Sequence, residues 1–184
     1  MTSQRIGKYA CLEVECRYLL NKVPEGLLDD PKGWLITDRY LLNTRLRLRH
    51  MKSVTGEENI YKLTQKYQSE TQNAYETTIT NMYLTEAEYN HFVALEAKIL
   101  KKRRYPYRVQ NHSLSIDVFE GRHQGLILAE MELETKAEVS EFVLPSFVLK
   151  DATDDPFFTG GNLVTLTDEE FQQGLSQRLR DHEN

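Results

Sequence analysis

Apolar and polar residues alternate with a period of two over much of this chain. Leu12, Val14, Cys16 and Tyr18 are interleaved with Glu13, Glu15 and Arg17. In a β-strand successive side chains point to opposite faces, so this segment carries one apolar face and one acid–acid–base face. The same period recurs at Trp34–Leu41, Thr44–His50, Tyr61–Gln68, Ala74–Asn81, Tyr105–Val109, Ser113–Phe119 and Leu126–Glu134. With Tyr9–Leu20 these predict eight strands joined mostly by short turns, an antiparallel meander able to close into a barrel.

Three stretches switch to helical spacing. Glu86–Lys102 begins with a capping box, Thr85 and Glu88, and repeats Phe92, Leu95 and Ile99. Lys136–Val143 follows a second box, Thr135 and Glu138, and ends before Pro145. Asp168–Arg180 follows a third, Thr167 and Glu170, with Phe171, Leu175 and Leu179 as its apolar stripe. No repeat or linker divides the chain, so one domain over residues 1–184 is expected, of α+β class, with amphipathic helices packed outside the strands.

Composition narrows the function. The net charge of −5 argues against a dedicated nucleic-acid binder. Lys101–Arg104 is too short, and too free of interleaved aromatics, to overturn that; it reads as a cationic helix end with two side chains left for a site. No apolar run approaches the length of about 20 residues that crosses a bilayer, and Met1–Tyr9 lacks the core of a signal peptide. A cytoplasmic protein without a membrane partner is therefore expected. Cys11 and Cys16 fall on opposite faces of one strand and cannot bond to each other. His50, His91, His112, His123 and His182 show no ligand spacing and are expected on the surface; Trp34 is expected in the core. Asp151, Asp154 and Asp155 fail the spacing of a calcium loop and read as turn chemistry.

The charges are sorted strand by strand. Arg45, Arg47 and Arg49 share a face, as do Lys62 and Lys66, and as do Glu130, Glu132 and Glu134; Asp117 lies opposite Ile116 and Val118. An ordinary wet sheet face mixes charges with Ser, Thr, Asn and Gln. Like charges two residues apart repel unless something sits between them. Paired carboxylates suit a divalent cation and paired arginines suit phosphate, so a polyphosphate with Mg2+ or Mn2+ would satisfy both sets.

Glu13-Val14-Glu15-Cys16-Arg17 resembles the E-x-E-x-K signature of CYTH proteins, the triphosphate tunnel metalloenzymes that include class IV adenylate cyclases and thiamine triphosphatases. The likeness continues through Ile36–Leu41, the R-x-R of Leu46–Arg49, Lys66, Lys102–Tyr105, Ile116–Phe119 with Gly125–Glu132, and a final turn at Pro145 and Asp151–Phe158. It implies a closed eight-stranded antiparallel β-barrel, a triphosphate tunnel. It further implies that Glu13, Glu15, Asp117, Glu130 and Glu132 hold the metal, and that Arg17, Arg47, Arg49, Lys66, Lys102 and Arg104 contact phosphate. Five acids against six bases would accept a tetra- or penta-anion with two dications.

The implied function is metal-dependent hydrolysis of a linear triphosphate, inorganic tripolyphosphate first, by a chain that could act as a homodimer. The alternatives are cyclisation of ATP and a polyphosphate- or nucleotide-binding module with weakened catalysis. Two departures bear on the choice. Arg17 replaces the signature lysine, which with a tyrosine matching Tyr40 is implied to activate water. Arginine cannot accept a proton, so Arg17 is left to bind phosphate and to lower the Tyr40 pKa, and a metal-bound hydroxide held by Glu13 or Glu15 is the expected replacement for the base. Ala74 stands where a first acid is usual, leaving Glu76 as a further candidate.

Overall fold

In a computed structural model, residues 9–68, 76–133 and 142–180 are described. Nine strands form one sheet: β1 (Cys11–Leu20), β2 (Trp34–Leu41), β3 (Leu46–Ser53), β4 (Asn59–Gln68), β5 (Glu76–Leu84), β6 (Ala97–Val109), β7 (His112–Glu120), β8 (Ile127–Glu132) and β9 (Val148–Asp151). Their order is β5-β4-β3-β2-β6-β7-β8-β1-β9, and β1 also pairs with β5. Eight strands therefore close into an antiparallel barrel, as the alternation predicts. The short β9 lies outside the ring, against β1 over Tyr18–Leu20.

The alternation divides the strands as expected. Glu13, Glu15 and Arg17 face inward, while Cys16, Tyr18 and Leu20 face outward into a cluster with Tyr105, Ile116, Ala129 and Met131. Phe142 and Phe147 cover that cluster. A second outer cluster, Leu48 and Leu63, lies under Tyr89 and Phe92 of α1 (Glu86–Val93), which starts with the Thr85–Glu88 capping box.

The inward face is not charged throughout. One step beyond Arg17, Lys102, Asp117 and Glu130 on their strands stand Leu19, Leu100, Phe119 and Leu128, all buried. They pack with Phe157, Phe158, Leu163, Phe171 and Leu175 from the C-terminal segment. That segment comprises a 3-10 turn at Pro156–Phe158, the short α2 (Gly160–Leu163) and α3 (Asp168–Arg180). α3 carries its predicted box, Thr167 N to Glu170 Oε2 at 2.7 Å and Glu170 N to Thr167 Oγ1 at 3.1 Å. Arg178 ties it back to Asp155 at 2.6 Å and lies 4.0 Å over the Phe157 ring. So α3 does not cover an outer sheet face; it joins a plug against inward-facing side chains.

Several expectations need correction. The helix expected over Glu86–Lys102 ends at Val93, and β6 starts at Ala97. Residues 97–104 hydrogen-bond β2 on one edge, while 101–109 pair with β7 on the other, and barrel closure needs both. Leu95 and Ile99, which suggested a helical stripe, are 49% and 42% exposed. Lys101–Arg104 is therefore no helix end. Lys102 and Arg104 enter the barrel, and Lys101 and Arg103 alternate away from it. His123 is buried rather than exposed, its Nε2 3.0 Å from the Leu163 carbonyl. Trp34 is half-buried.

Cys11 and Cys16 are free thiols, one exposed and one buried. The helix expected over Lys136–Val143, with Thr135 and Glu138, falls mostly outside the described residues, as do Ala74, Glu134 and His182. Among the described residues no helix is long and apolar enough to cross a membrane.

The plug gives a direct stability test. Phe171→Ala removes a fully buried ring from that cluster and should lower the unfolding free energy by about 3–5 kcal/mol, read as an earlier urea midpoint at unchanged slope.

Candidate functional site

The barrel encloses a cavity of about 1180 Å3. Its wall includes ten of the eleven acidic and basic residues to which the resemblance assigns metal or phosphate. Glu13, Glu15, Glu130 and Glu132 line it, with Arg17, Arg47, Arg49, Lys66, Lys102 and Arg104. Register explains the convergence: Arg17 lies opposite Glu130, Arg104 opposite Asp117, and Tyr40 opposite Arg47. Asp117 is the eleventh. It is fully buried and lies behind the wall, where Lys102 Nζ and Arg104 donate to it, Arg104 through Nε at 2.7 Å and Nη2 at 2.6 Å. Glu76 reaches the lining but pairs with Val14, off the inward alternation of Glu13.

Each inward acid is engaged by a base or crowded by another acid. Lys66 Nζ donates to Glu13 at 3.0 Å and Arg17 Nη2 to Glu15 at 2.9 Å. Arg104 Nη2 also donates to Glu130, which stands 3.8 Å from Arg17 Nε. Burial opposes the charge on Glu130, yet Arg104, Lys102 and Arg17 outweigh it and hold this carboxyl well below the ordinary range. Glu15 goes the other way, because burial, then the charge of Glu130, raises its pKa despite Lys66 and Arg17. The negative charge at Glu15 is thus incompletely neutralised.

Asp38 is absent from the residues expected on sequence, yet it is the most deeply paired acid on the wall, 1% exposed. Arg49 Nε and Nη2 grip its two oxygens at 2.6 and 2.7 Å. Its signal was available: Ile36, Asp38 and Tyr40 alternate with Thr37 and Arg39, and the resemblance placed Tyr40 inside. Burial opposes ionisation of Asp38, but Arg49 and Arg47 overcome it and keep the carboxyl far below the usual range.

Tyr40 lies on the same wall, opposite Arg47. Burial, then the charge of Asp38, raises its phenol against the opposing pull of Arg47 and Arg49. At neutral pH it is an O–H donor and not a base. Its hydroxyl packs on Gly160 so closely that a Cβ there would lie 2.1 Å from Oη. Lys102 is pushed down by burial and by neighbouring Arg104 and Arg49, against the pull of Asp117.

Among the described residues four buried side-chain nitrogens lack a hydrogen-bond partner, and two of them, Arg17 Nε and Arg47 Nε, lie on the cavity wall. Among the described residues no three acidic, histidine or cysteine side chains already converge as a metal cage. The carboxylates of Glu13, Glu15 and Glu130 nonetheless supply the hard oxygen donors that Mg2+ or Mn2+ prefers, and the under-neutralised Glu15 fits an added cation.

No family model matches the chain. Over 69 residues it is 32% identical to an inorganic triphosphatase of Acetivibrio thermocellus, a match spanning 38% of this chain and 43% of that relative. The solved structure of the inorganic triphosphatase NE1496 superposes with a TM-score of 0.58 at 21% identity, covering 84% of this chain and 95% of that one. A Bacillus halodurans protein assigned provisionally as an adenylate cyclase superposes at 0.51 with 14% identity, covering 72% and 86%. The likeness read from the motifs therefore holds in sequence along part of the chain and in fold across most of it.

The opposed shifts of Glu15 and Glu130 give a paired test without added metal. Glu15→Gln should stabilise the protein at pH 7, a gain that vanishes in acid, where Glu15 is protonated anyway. Glu130→Gln should destabilise it at pH 7, with the deficit shrinking as pH falls toward the depressed Glu130 value. Thermal midpoints across pH 3–8 measure both.

Proposed function

We propose that this chain, whose closed barrel is that of the triphosphate tunnel proteins it resembles, is a metal-dependent hydrolase of linear triphosphates, with inorganic tripolyphosphate as its substrate. The observation that carries the reading is the pair of orphaned donors, Arg17 Nε and Arg47 Nε, buried in a polar wall with no acceptor. A buried N–H without a partner costs about 1–3 kcal/mol, and a phosphate oxygen would relieve it. Bare carboxylates would not serve, since Asp38 and Glu130 each stand 3.8 Å from one of these groups and make no hydrogen bond to it.

Chemistry follows from the same wall. Phosphoryl transfer needs positioning and charge stabilisation more than covalent help. Arg17, Arg47, Lys66, Lys102 and Arg104 orient and neutralise the phosphate oxygens. Tyr40 adds a hydroxyl donor. Arg17 takes no proton, so a carboxylate of the wall, and not residue 17, accepts the proton of the attacking water. Mg2+ or Mn2+, held by Glu13, Glu15 and Glu130, supplies further neutralisation of the triphosphate when bound.

One observation favours a second reading, a binding module with weakened turnover: Arg17 stands in the place of the signature lysine and its Nη2 is already spent on Glu15. Phosphate release from tripolyphosphate with Mn2+, by malachite green, separates the two. Release above the metal-free control is expected; its absence, with tight binding by calorimetry, selects the module. If the hydrolase reading holds, Arg17→Lys changes the rate by less than about tenfold, because a wall carboxylate and not residue 17 takes the proton. A gain far beyond that would mean that arginine had silenced the site. Chromatography of ATP products should show no cyclic nucleotide.

A further inference from the structure

Lys62 lines the cavity but belongs to none of the motifs that carry the resemblance. The six bases that do belong, Arg17, Arg47, Arg49, Lys66, Lys102 and Arg104, each have a carboxylate oxygen no farther than 3.8 Å away. Lys62 makes no such ion pair among the described residues. Its Nζ lies instead 4.8 Å from the centre of the Tyr83 ring. Tyr83 is 70% exposed, so the pair marks a rim of the barrel.

Strand geometry fixes where this cation stands. Alternation along β4 puts Lys62, Thr64 and Lys66 on the cavity wall, with Thr64 fully buried between the two lysines. A separation of four residues spans roughly 13 Å of extended strand. In register Lys62 lies opposite Arg49 on β3 and Tyr83 on β5. Arg49 uses Nε and Nη2 on Asp38 and keeps Nη1 for a phosphate oxygen. Lys62 therefore continues the cations of the wall from Arg49 toward solvent. The ring face offsets part of the hydration that the ammonium gives up, but it brings no negative charge, and a phosphate oxygen would.

We propose that Lys62, held on the Tyr83 ring, is a rim contact for a fourth phosphate, so that the tunnel holds tetrapolyphosphate more tightly than tripolyphosphate. The proposal rests on the triphosphate reading above and widens its substrate class to longer linear polyphosphates. A triphosphate meets the carboxylate-paired bases of the interior. A further phosphate adds length and one negative charge, and Lys62 is placed to meet both. A nucleoside at the same rim would bring no charge for the ammonium.

The test is calorimetric binding of tripolyphosphate and of tetrapolyphosphate, each with Mn2+, in the cold, with the recovered anion checked by chromatography. The unaltered protein should bind tetrapolyphosphate about fivefold more tightly or better. Lys62→Gln should weaken tetrapolyphosphate binding about tenfold and tripolyphosphate binding by less than about threefold, cancelling most of that preference. Lys62→Arg should restore it, because a guanidinium keeps the charge and stacks on Tyr83. Tyr83→Leu should cause a smaller loss, again mainly for the longer anion. A merely structural role would move both affinities together. The proposal is overturned if the unaltered protein binds the two anions equally, or if Lys62→Gln weakens both to the same degree or neither. Preference for tetrapolyphosphate without phosphate release from either anion would remove the hydrolase reading and leave this contact standing; binding of neither anion would remove both.

Discussion

Charged groups enclosed by a barrel wall must be neutralised where they stand, and that requirement organises this molecule. Isolated ions there would carry large desolvation costs, and their mutual attraction offsets those costs only when geometry is good. Register supplies the geometry. Because Asp38 lies opposite Arg49, Asp117 opposite Arg104, and Glu130 opposite Arg17, each pair meets across one strand boundary. The same pairs fix which donors are left over. Arg17 and Arg47 retain an unused Nε because their neighbouring carboxylates are committed elsewhere, and the phosphate-binding proposal rests on those leftovers.

The outside of the barrel answers to a different constraint. Outward apolar faces are covered piecemeal, by α1 over Leu48 and Leu63 and by Phe142 and Phe147 over the β1–β8 side. The C-terminal segment instead packs against inward residues, where Arg17, Lys102, Asp117 and Glu130 give way to Leu19, Leu100, Phe119 and Leu128. The plug places Gly160 against the Tyr40 hydroxyl, so the C-terminal turn also sets where that donor sits.

How much of this was legible in the sequence depends on the kind of signal. Period-two alternation located all eight barrel strands and put Glu13, Glu15 and Arg17 on one face; the sorting of charges by strand, with the family likeness, pointed that face inward. Alternation failed at Ala97–Lys102, where Phe92, Leu95 and Ile99 happen to repeat at helical spacing; only pairing with both β2 and β7 decides for a strand. Asp38 shares the alternation of Ile36 and Tyr40, but its polar neighbours Thr37 and Arg39 weaken that signal. The buried place of His123 depends on a contact with Leu163, forty residues away, that no local pattern encodes. That Asp117 lies behind its basic neighbours is likewise a matter of three-dimensional layering. A motif can say that an acid and two bases share a site, but not which of them faces the cavity.

The central claim is that the buried cations form an inward cradle for a chain of phosphates. The most direct measurement is a crystal structure of the protein grown with inorganic tripolyphosphate. The account predicts phosphate density inside the barrel, with oxygens within hydrogen-bonding distance of Arg47 Nε and Arg17 Nε. An anion bound only on the outer surface, with both of these groups still lacking an acceptor, would contradict it.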